Sequence, residues 1–284
     1  MGDRVKDKVS WISGGCSGMG LSSVELFVDE GAKVVVADIQ DQKGAVLEKR
    51  YPGRVRYVNC DVTSEEAVAA AVQVAADEFG RLDIMFNNAG APGVMTPIDE
   101  FTVEAWDAHF ALLTRSTMLG MKYGVRLMKA QGGGGSIVNN ASGAAVGYHG
   151  PGSTGYGAAK AAVLQMSKLL ATELGPYNIR VNVIIPGWTM TSIMGVNFGV
   201  PREVSDKMAE YLEEGFKTLQ PLPIAGWPRY LAEAVLWLGS DHAAWITGVA
   251  LPVDGGLVVK DQADPRLGEI FQQALERAQA SAAA

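Results

Sequence analysis

The sequence is poor in cysteine, in histidine and in charge. Of its 284 residues, two are cysteine, Cys16 and Cys60, and three are histidine. Thiols so far apart in sequence build neither a disulfide framework nor a zinc site, and no spacing among the histidines suggests a metal centre. His109 and His242 are given no functional role. A reducing, cytoplasmic setting is the expectation. Charged residues make up only 19%, and acids outnumber bases by 31 to 24, for a formal net charge of −7. Such a surface repels nucleic acid and anionic membranes, so the expected partner is a small molecule. No apolar run reaches the roughly 18 residues that a membrane helix needs. The opening residues, MGDRVKDKVS, carry no apolar signal-like stretch, and Lys6 stands where a myristoylation signal places Ser or Thr. A GxSxG elbow is also missing, which excludes a serine hydrolase of the α/β type.

What is present is a regular alternation. Short β-branched runs occur at 8–13, 33–38, 54–59, 82–87, 136–141, 179–185 and 249–253. Their apolar positions are nearly continuous, as expected of strands covered on both faces. The stretches 18–30, 41–50, 64–80, 104–130, 155–175 and 228–239 read as helices, with Thr63 or Ser64 as an N-cap ahead of Glu65 and Glu66. The expected fold is α/β, a single Rossmann-like doubly wound parallel sheet of about seven strands with helices on both faces. Ligands should sit at the carboxyl ends of the strands. One domain covers 1–260; the tail, 261–284, turns Ala-rich and is either a helix packed on a neighbouring subunit or a frayed end.

Directly after the first strand stands Gly14-Gly15-Cys16-Ser17-Gly18-Met19-Gly20. Glycines in this spacing let backbone N–H groups approach a pyrophosphate held at a helix N-terminus. Asp38 closes the second strand, where a carboxylate accepts the adenosine ribose hydroxyls and repels a 2′-phosphate. Ile39 and Gln40 supply no cation to offset that repulsion, so NAD is expected rather than NADP. Of eight tyrosines, only Tyr156 has a lysine, Lys160, four residues on. On a helix the two share a face. A neighbouring ammonium favours the phenolate, which would then serve as general base or acid.

These residues, together with Asp61-Val62, Asn87-Asn88-Ala89-Gly90, Ile179-Arg180-Val181-Asn182, Pro186-Gly187 and Val253-Asp254-Gly255-Gly256, resemble the short-chain dehydrogenase/reductase family over 6–257. The resemblance implies an NAD-dependent oxidoreductase acting on a secondary alcohol or ketone. It implies a catalytic set of Ser142, Tyr156 and Lys160, with Lys160 also holding the nicotinamide ribose. Gly14, Ser17, Gly18, Met19, Gly20, Asp38 and Ile39 would bind the cofactor. Asp61 and Val62 would meet its adenine; Asn87, Ala89 and Gly90 would line it and stabilise the sheet. Pro186, Gly187, Thr189 and Thr191 would border the nicotinamide. A lid at about 187–228 would cover a hydrophobic or cyclic substrate, with Trp188, Met194, Tyr148 and His149 as contacts. A homo-oligomer, dimer or tetramer, is implied through the helices at 104–130 and 155–175.

Two departures stand out. Ser142 precedes Tyr156 by 14 residues, one more than the family pattern, which is read as a one-residue insertion between Gly143 and Gly155. Leu113 occupies the place of the family's tetrad asparagine and has no side-chain hydrogen bond to offer. Three readings remain: a backbone carbonyl anchors a water to Lys160, Thr114 or Ser116 assists, or the chemistry is altered. The alternative function is a non-catalytic NAD-binding sensor or scaffold.

Overall fold

The computed structural model describes residues 2–147, 153–193, 195, 200–260 and 266–283. All seven β-branched runs form strands: β1 (Val9–Ser13), β2 (Lys33–Asp38), β3 (Val55–Asn59), β4 (Ile84–Asn87), β5 (Gly135–Asn140), β6 (Ile179–Pro186) and β7 (Ala250–Val253). They pair in parallel in the order β3-β2-β1-β4-β5-β6-β7. The order reverses between β1 and β4, where an α/β sheet opens its ligand crevice.

Helices cover both faces. On one, α1 (Gly18–Asp29) and α2 (Asp41–Arg50) bury Val24, Phe27 and Leu47 with Leu231 and Leu236 from a later helix, α8 (Pro228–Gly239). On the other, α3 (Glu65–Phe79), α5 (Ser116–Gln131) and α6 (Thr154–Leu174) bury Val68, Val72, Leu119, Met128 and Leu174 over Trp11 and Met85. Ser64 caps α3, accepting the Ala67 N–H at 3.2 Å. Several of the quoted motifs serve the scaffold. Arg180 donates to the carbonyls of Ile246 and Ser240, and Asn182 bonds both Ile246 and Val249, fixing the approach to β7. Asp254 accepts the N–H groups of Gly256 and Val258.

The expected helix at 104–130 forms, with a π-helical turn inside it. A short α4 (Val103–His109) runs into a π-helical turn, Phe110–Arg115, before α5 begins. Side-chain hydroxyls compete for backbone carbonyls here. Ser116 donates to Leu112, Thr117 donates to Leu113 at 2.8 Å, and Thr114 reaches across to the Ala159 carbonyl of α6 at 2.9 Å.

Two helices lie beyond the simple alternation. Within the lid region, α7 (Arg202–Phe216) forms, and the tail forms α9 (Leu267–Ala283). α9 packs on α7 of its own chain, burying Ala274 and Ala278 with Met190, Met208, Leu212 and Phe216. The described part of the tail is therefore a helix with one face packed on its own chain. Its apolar positions, Ile270, Phe271, Ala274 and Ala278, recur at helical spacing and match the α7 face.

Candidate active site

The first strand ends at Ser13, whose Oγ accepts the N–H groups of Asn88 and Ala89, both at 3.0 Å. The glycine loop that follows is cut close. Gly14 has φ +64°, and a Cβ there would come within 3.0 Å of the Ala89 Cα; a Cβ on Gly20 would run into the Gly14 carbonyl. Only glycine fits, and α1 begins on this loop with Ser17 at its N-cap. A Cβ on Gly18 would come within 3.0 Å of the Thr191 side chain, so the segment after β6 packs against the loop. The loop backbone at a helix N-terminus suits a pyrophosphate.

Asp38 is buried at the carboxyl end of β2, and its carboxylate accepts the Cys16 N–H at 2.9 Å. Its other oxygen accepts from the backbone and side chain of Gln40, each at 3.1 Å. Ile39 is 65% exposed beside it, on the rim. Asp61 is exposed and turns its carboxylate to Thr63, while Val62 is buried in the core.

Asparagines tie the strand ends together. Asn87 donates to Asn139 at 2.7 Å, and Asn139 donates on to Ser167 at 2.8 Å. Asn87 thus faces inward and braces the sheet. Asn88 donates to the carbonyls of Ser13 and Gly14 and accepts from Asn140 at 3.1 Å.

Tyr156 and Lys160 sit one turn apart near the start of α6, with the ammonium 6.0 Å from the phenol ring centre. Tyr156 is half-buried and lies beside Ser142, the residue that opens a short turn after β5 and accepts the Ala144 N–H. The longer spacing between serine and tyrosine does not separate them. Burial pushes the Tyr156 phenol up, and the neighbouring Ser142 acts against that shift. Lys160 is itself buried, which brings it down to about 8, and its ammonium donates a hydrogen bond to the Asn140 carbonyl at 2.6 Å.

Leu113 is buried against Gly90, where a Cβ would come within 2.8 Å of its Cδ2. Its carbonyl is engaged by Thr117. Ser116 is turned to its own helix, whereas Thr114 bonds the residue before Lys160 and so holds α6 in place. Of the residues weighed as stand-ins for the tetrad asparagine, Thr114 is the one that reaches the lysine's helix.

Pro186 and Gly187 lie where β6 ends, and Gly187 packs so close that a Cβ would be 2.9 Å from Asp254 Cβ. Thr189 and Thr191 are buried; the Thr189 hydroxyl donates to the Gly187 carbonyl at 3.1 Å. Trp188 packs in the lid, 6.0 Å from the Phe216 ring and 5.9 Å from Phe271. Tyr148, His149 and Met194 lie outside the described residues. The sequence reading passed over Asn140, which holds Lys160. The available signal was two adjacent amides, Asn139 and Asn140, in a buried parallel strand that otherwise calls for apolar side chains. No group of His, Cys, Asp or Glu among the described residues could hold a metal ion.

A family model described as enoyl-(acyl carrier protein) reductase matches residues 14–258. The chain belongs to the short-chain dehydrogenase/reductase family, and it is an oxidoreductase. Among relatives of this short-chain dehydrogenase/reductase, tropinone reductase-like 1 of Erythroxylum coca is 36% identical over 275 residues, 96% of this chain and 97% of that protein. The 2,5-dichloro-2,5-cyclohexadiene-1,4-diol dehydrogenase of Sphingobium indicum is 36% identical, covering 86% of this chain and 94% of its own length. (+)-Borneol dehydrogenase 2 of Salvia officinalis is 35% identical, covering 92% of each.

Proposed function

We propose that this short-chain dehydrogenase/reductase interconverts a hydrophobic or cyclic secondary alcohol and its ketone, using NAD. The observation that carries the reading is the meeting of Ser142, Tyr156 and Lys160 beside the carboxyl end of β5, with Lys160 held on the Asn140 carbonyl. Ser142 orients the substrate oxygen. Tyr156, as phenolate, takes the hydroxyl proton while the carbinol C–H bond breaks; in reduction it returns that proton. Lys160 and Thr114 keep the tyrosine's helix in register, and Lys160 holds the nicotinamide ribose. Bound NAD⁺ supplies the hydride acceptor.

Asp38 supports the choice of NAD, since a buried carboxylate at the end of β2 repels a 2′-phosphate. The remaining cofactor contacts are assigned to Gly14, Ser17, Gly18, Met19, Gly20, Ile39, Asp61, Val62, Ala89, Gly90, Pro186, Gly187, Thr189 and Thr191. The relatives' names point to cyclic alcohols and ketones, and the aromatic packing of Trp188 within the lid suits such substrates. We assign the catalytic unit to 1–260, with its lid at 187–228.

Self-association is proposed through α5 and α6. A groove of about 510 Å³ runs between these helices, lined by Phe110, Ala111, Met118 and Met166, and Leu169 nearby on α6 is 64% exposed. Light scattering of the purified protein would report a dimer or tetramer, and a monomer would refute it. Two free, buried thiols, raised by burial to about 12 at Cys16 and about 11 at Cys60, fit a reducing cytoplasm. No helix among the described residues is long and apolar enough to cross a membrane.

The test is turnover. Purified protein mixed with NAD⁺ and cyclic secondary alcohols should form NADH. A non-catalytic sensor would bind NAD⁺ and form none.

A further inference from the structure

His109 is buried, 4% exposed, at the end of α4, and both of its ring nitrogens face carbonyl oxygens. Nδ1 lies 2.6 Å from the Ala105 carbonyl and Nε2 lies 2.7 Å from the Pro92 carbonyl. A carbonyl oxygen only accepts, and a neutral imidazole has a single N–H, so neither tautomer satisfies both contacts. Rotating the ring by half a turn does not help. It would set C–H groups against the two oxygens, well inside the ~3.3 Å of a favourable C–H···O contact. We propose that His109 is held as an imidazolium that staples the loop after β4 to α4, beside the first turn of α6, and so positions the Tyr156 edge of the site.

The surroundings fit a clamp. Gly93, with φ +68°, packs so tightly on the ring that a Cβ would be 2.7 Å from Nε2. The Phe101 ring lies 5.6 Å from the imidazole at 49°. Gly155, the residue before Tyr156, fills the remaining side: a Cβ there would run into Phe101 and lie 3.4 Å from His109 Nδ1. The ring is therefore wedged between the Gly90–Phe101 loop and the helix that carries the tyrosine. Titratable groups on the enclosing elements are Asp99 and Glu100 in the loop, Glu104 and Asp107 on α4, Arg115 on the π turn, and Tyr156 and the buried Lys160 on α6. None of them hydrogen-bonds or pairs with the imidazole among the described residues, so its two protons are held by the Ala105 and Pro92 carbonyl oxygens. Loss of the second proton would set a lone pair against a carbonyl and release the loop.

The staple stands whether or not the dehydrogenase reading does, because its test needs no turnover. In full-length protein labelled with ¹⁵N-histidine and carrying His149→Gln and His242→Gln, His109 is the sole histidine. Long-range ¹H–¹⁵N correlation at pH ~7.5 should show a proton on each ring nitrogen. A single protonated nitrogen at that pH overturns the proposal. His109→Gln offers an amide with donors at one end only, so amide protection over the Gly90–Phe101 loop should fall at least about tenfold at neutral pH. Wild type should reach the same low protection only when the pH is raised far enough to deprotonate the ring. Unchanged protection in His109→Gln overturns the clamp, and if that variant does not fold, the wild-type ring spectrum still decides.

Discussion

The Lys160 ammonium donates to the backbone carbonyl of Asn140 at 2.6 Å. The cation is thus anchored from the end of β5, and the Asn140 side chain is in turn bonded to Asn88 under the glycine loop. Burial brings the amine down to about 8, against ~10.4 for an unperturbed lysine. Below pH 8 the folded chain carries a buried charge that the unfolded chain solvates freely, so Lys160 costs stability there. The cost fades between pH 8 and ~10.4 and is gone above. Lys160→Met should therefore stabilise the cofactor-free protein at pH ~7, by up to about 3 kcal/mol less what the lost hydrogen bond contributed, and the gain should vanish near pH ~10.5. Urea melts at the two pH values check this; greater destabilisation at the lower pH would contradict it. Turnover of the same variant should fall on the order of a hundredfold or more.

Burial pushes the Tyr156 phenol up, and Ser142 beside it draws its titration the other way. Ser142→Ala should move the rising, alkaline-going limb of the oxidation rate to higher pH as well as reduce the rate. A pH profile of kcat/KM measures it, and a limb that stays in place would show that the serine acts on substrate alone.

Leu113 fills the space over Gly90, and its carbonyl is already engaged by Thr117. If Lys160 is served from Asn140 and its helix is held by Thr114, an asparagine at 113 has little to add. Leu113→Asn should change kcat by less than about tenfold, one pK-unit equivalent. A gain on the order of a hundredfold would mean that the native chain works with a damaged relay.

Phe271 closes the lid from the tail, 5.8 Å from Phe216 and 5.9 Å from Trp188. Phe271→Ala should raise KM for a hydrophobic substrate while leaving NAD⁺ affinity within about twofold, and should cost on the order of 1–3 kcal/mol in thermal unfolding. Equal weakening of both ligands would place the tail's influence on the whole fold instead.

The sheet was legible because buried parallel strands announce themselves as apolar runs, and all seven stand where those runs lie. The glycine loop, Asp38 and the Tyr156–Lys160 pair were legible because each needs a particular residue type at a fixed spacing. The π-helical turn inside the helix at 104–130 was not legible. It arises from hydroxyls at Thr114, Ser116 and Thr117 taking backbone carbonyls, a competition that hydrophobic periodicity does not register. The lid helix α7 and the tail helix α9 stabilise each other, so neither has a partner until both are in place. Asn140 and His109 act through backbone carbonyls, and no side-chain motif advertises such partners.

Asp38 takes the Cys16 N–H and closes the β2 edge of the glycine loop. Replacing it with Ala should weaken NAD⁺ and narrow its advantage over NADP⁺, by at least about tenfold in the ratio of kcat/KM. Unchanged discrimination would move the determinant elsewhere.

The central claim is alcohol oxidation through Tyr156. It is tested most directly by following absorbance from NADH as wild type and Tyr156→Phe are each given NAD⁺ and a panel of cyclic secondary alcohols. The account predicts turnover by wild type with at least one of them, stronger with NAD⁺ than with NADP⁺, and a loss of about a thousandfold in the phenylalanine variant, which should still bind NAD⁺ in calorimetry. Undiminished turnover by Tyr156→Phe would contradict it.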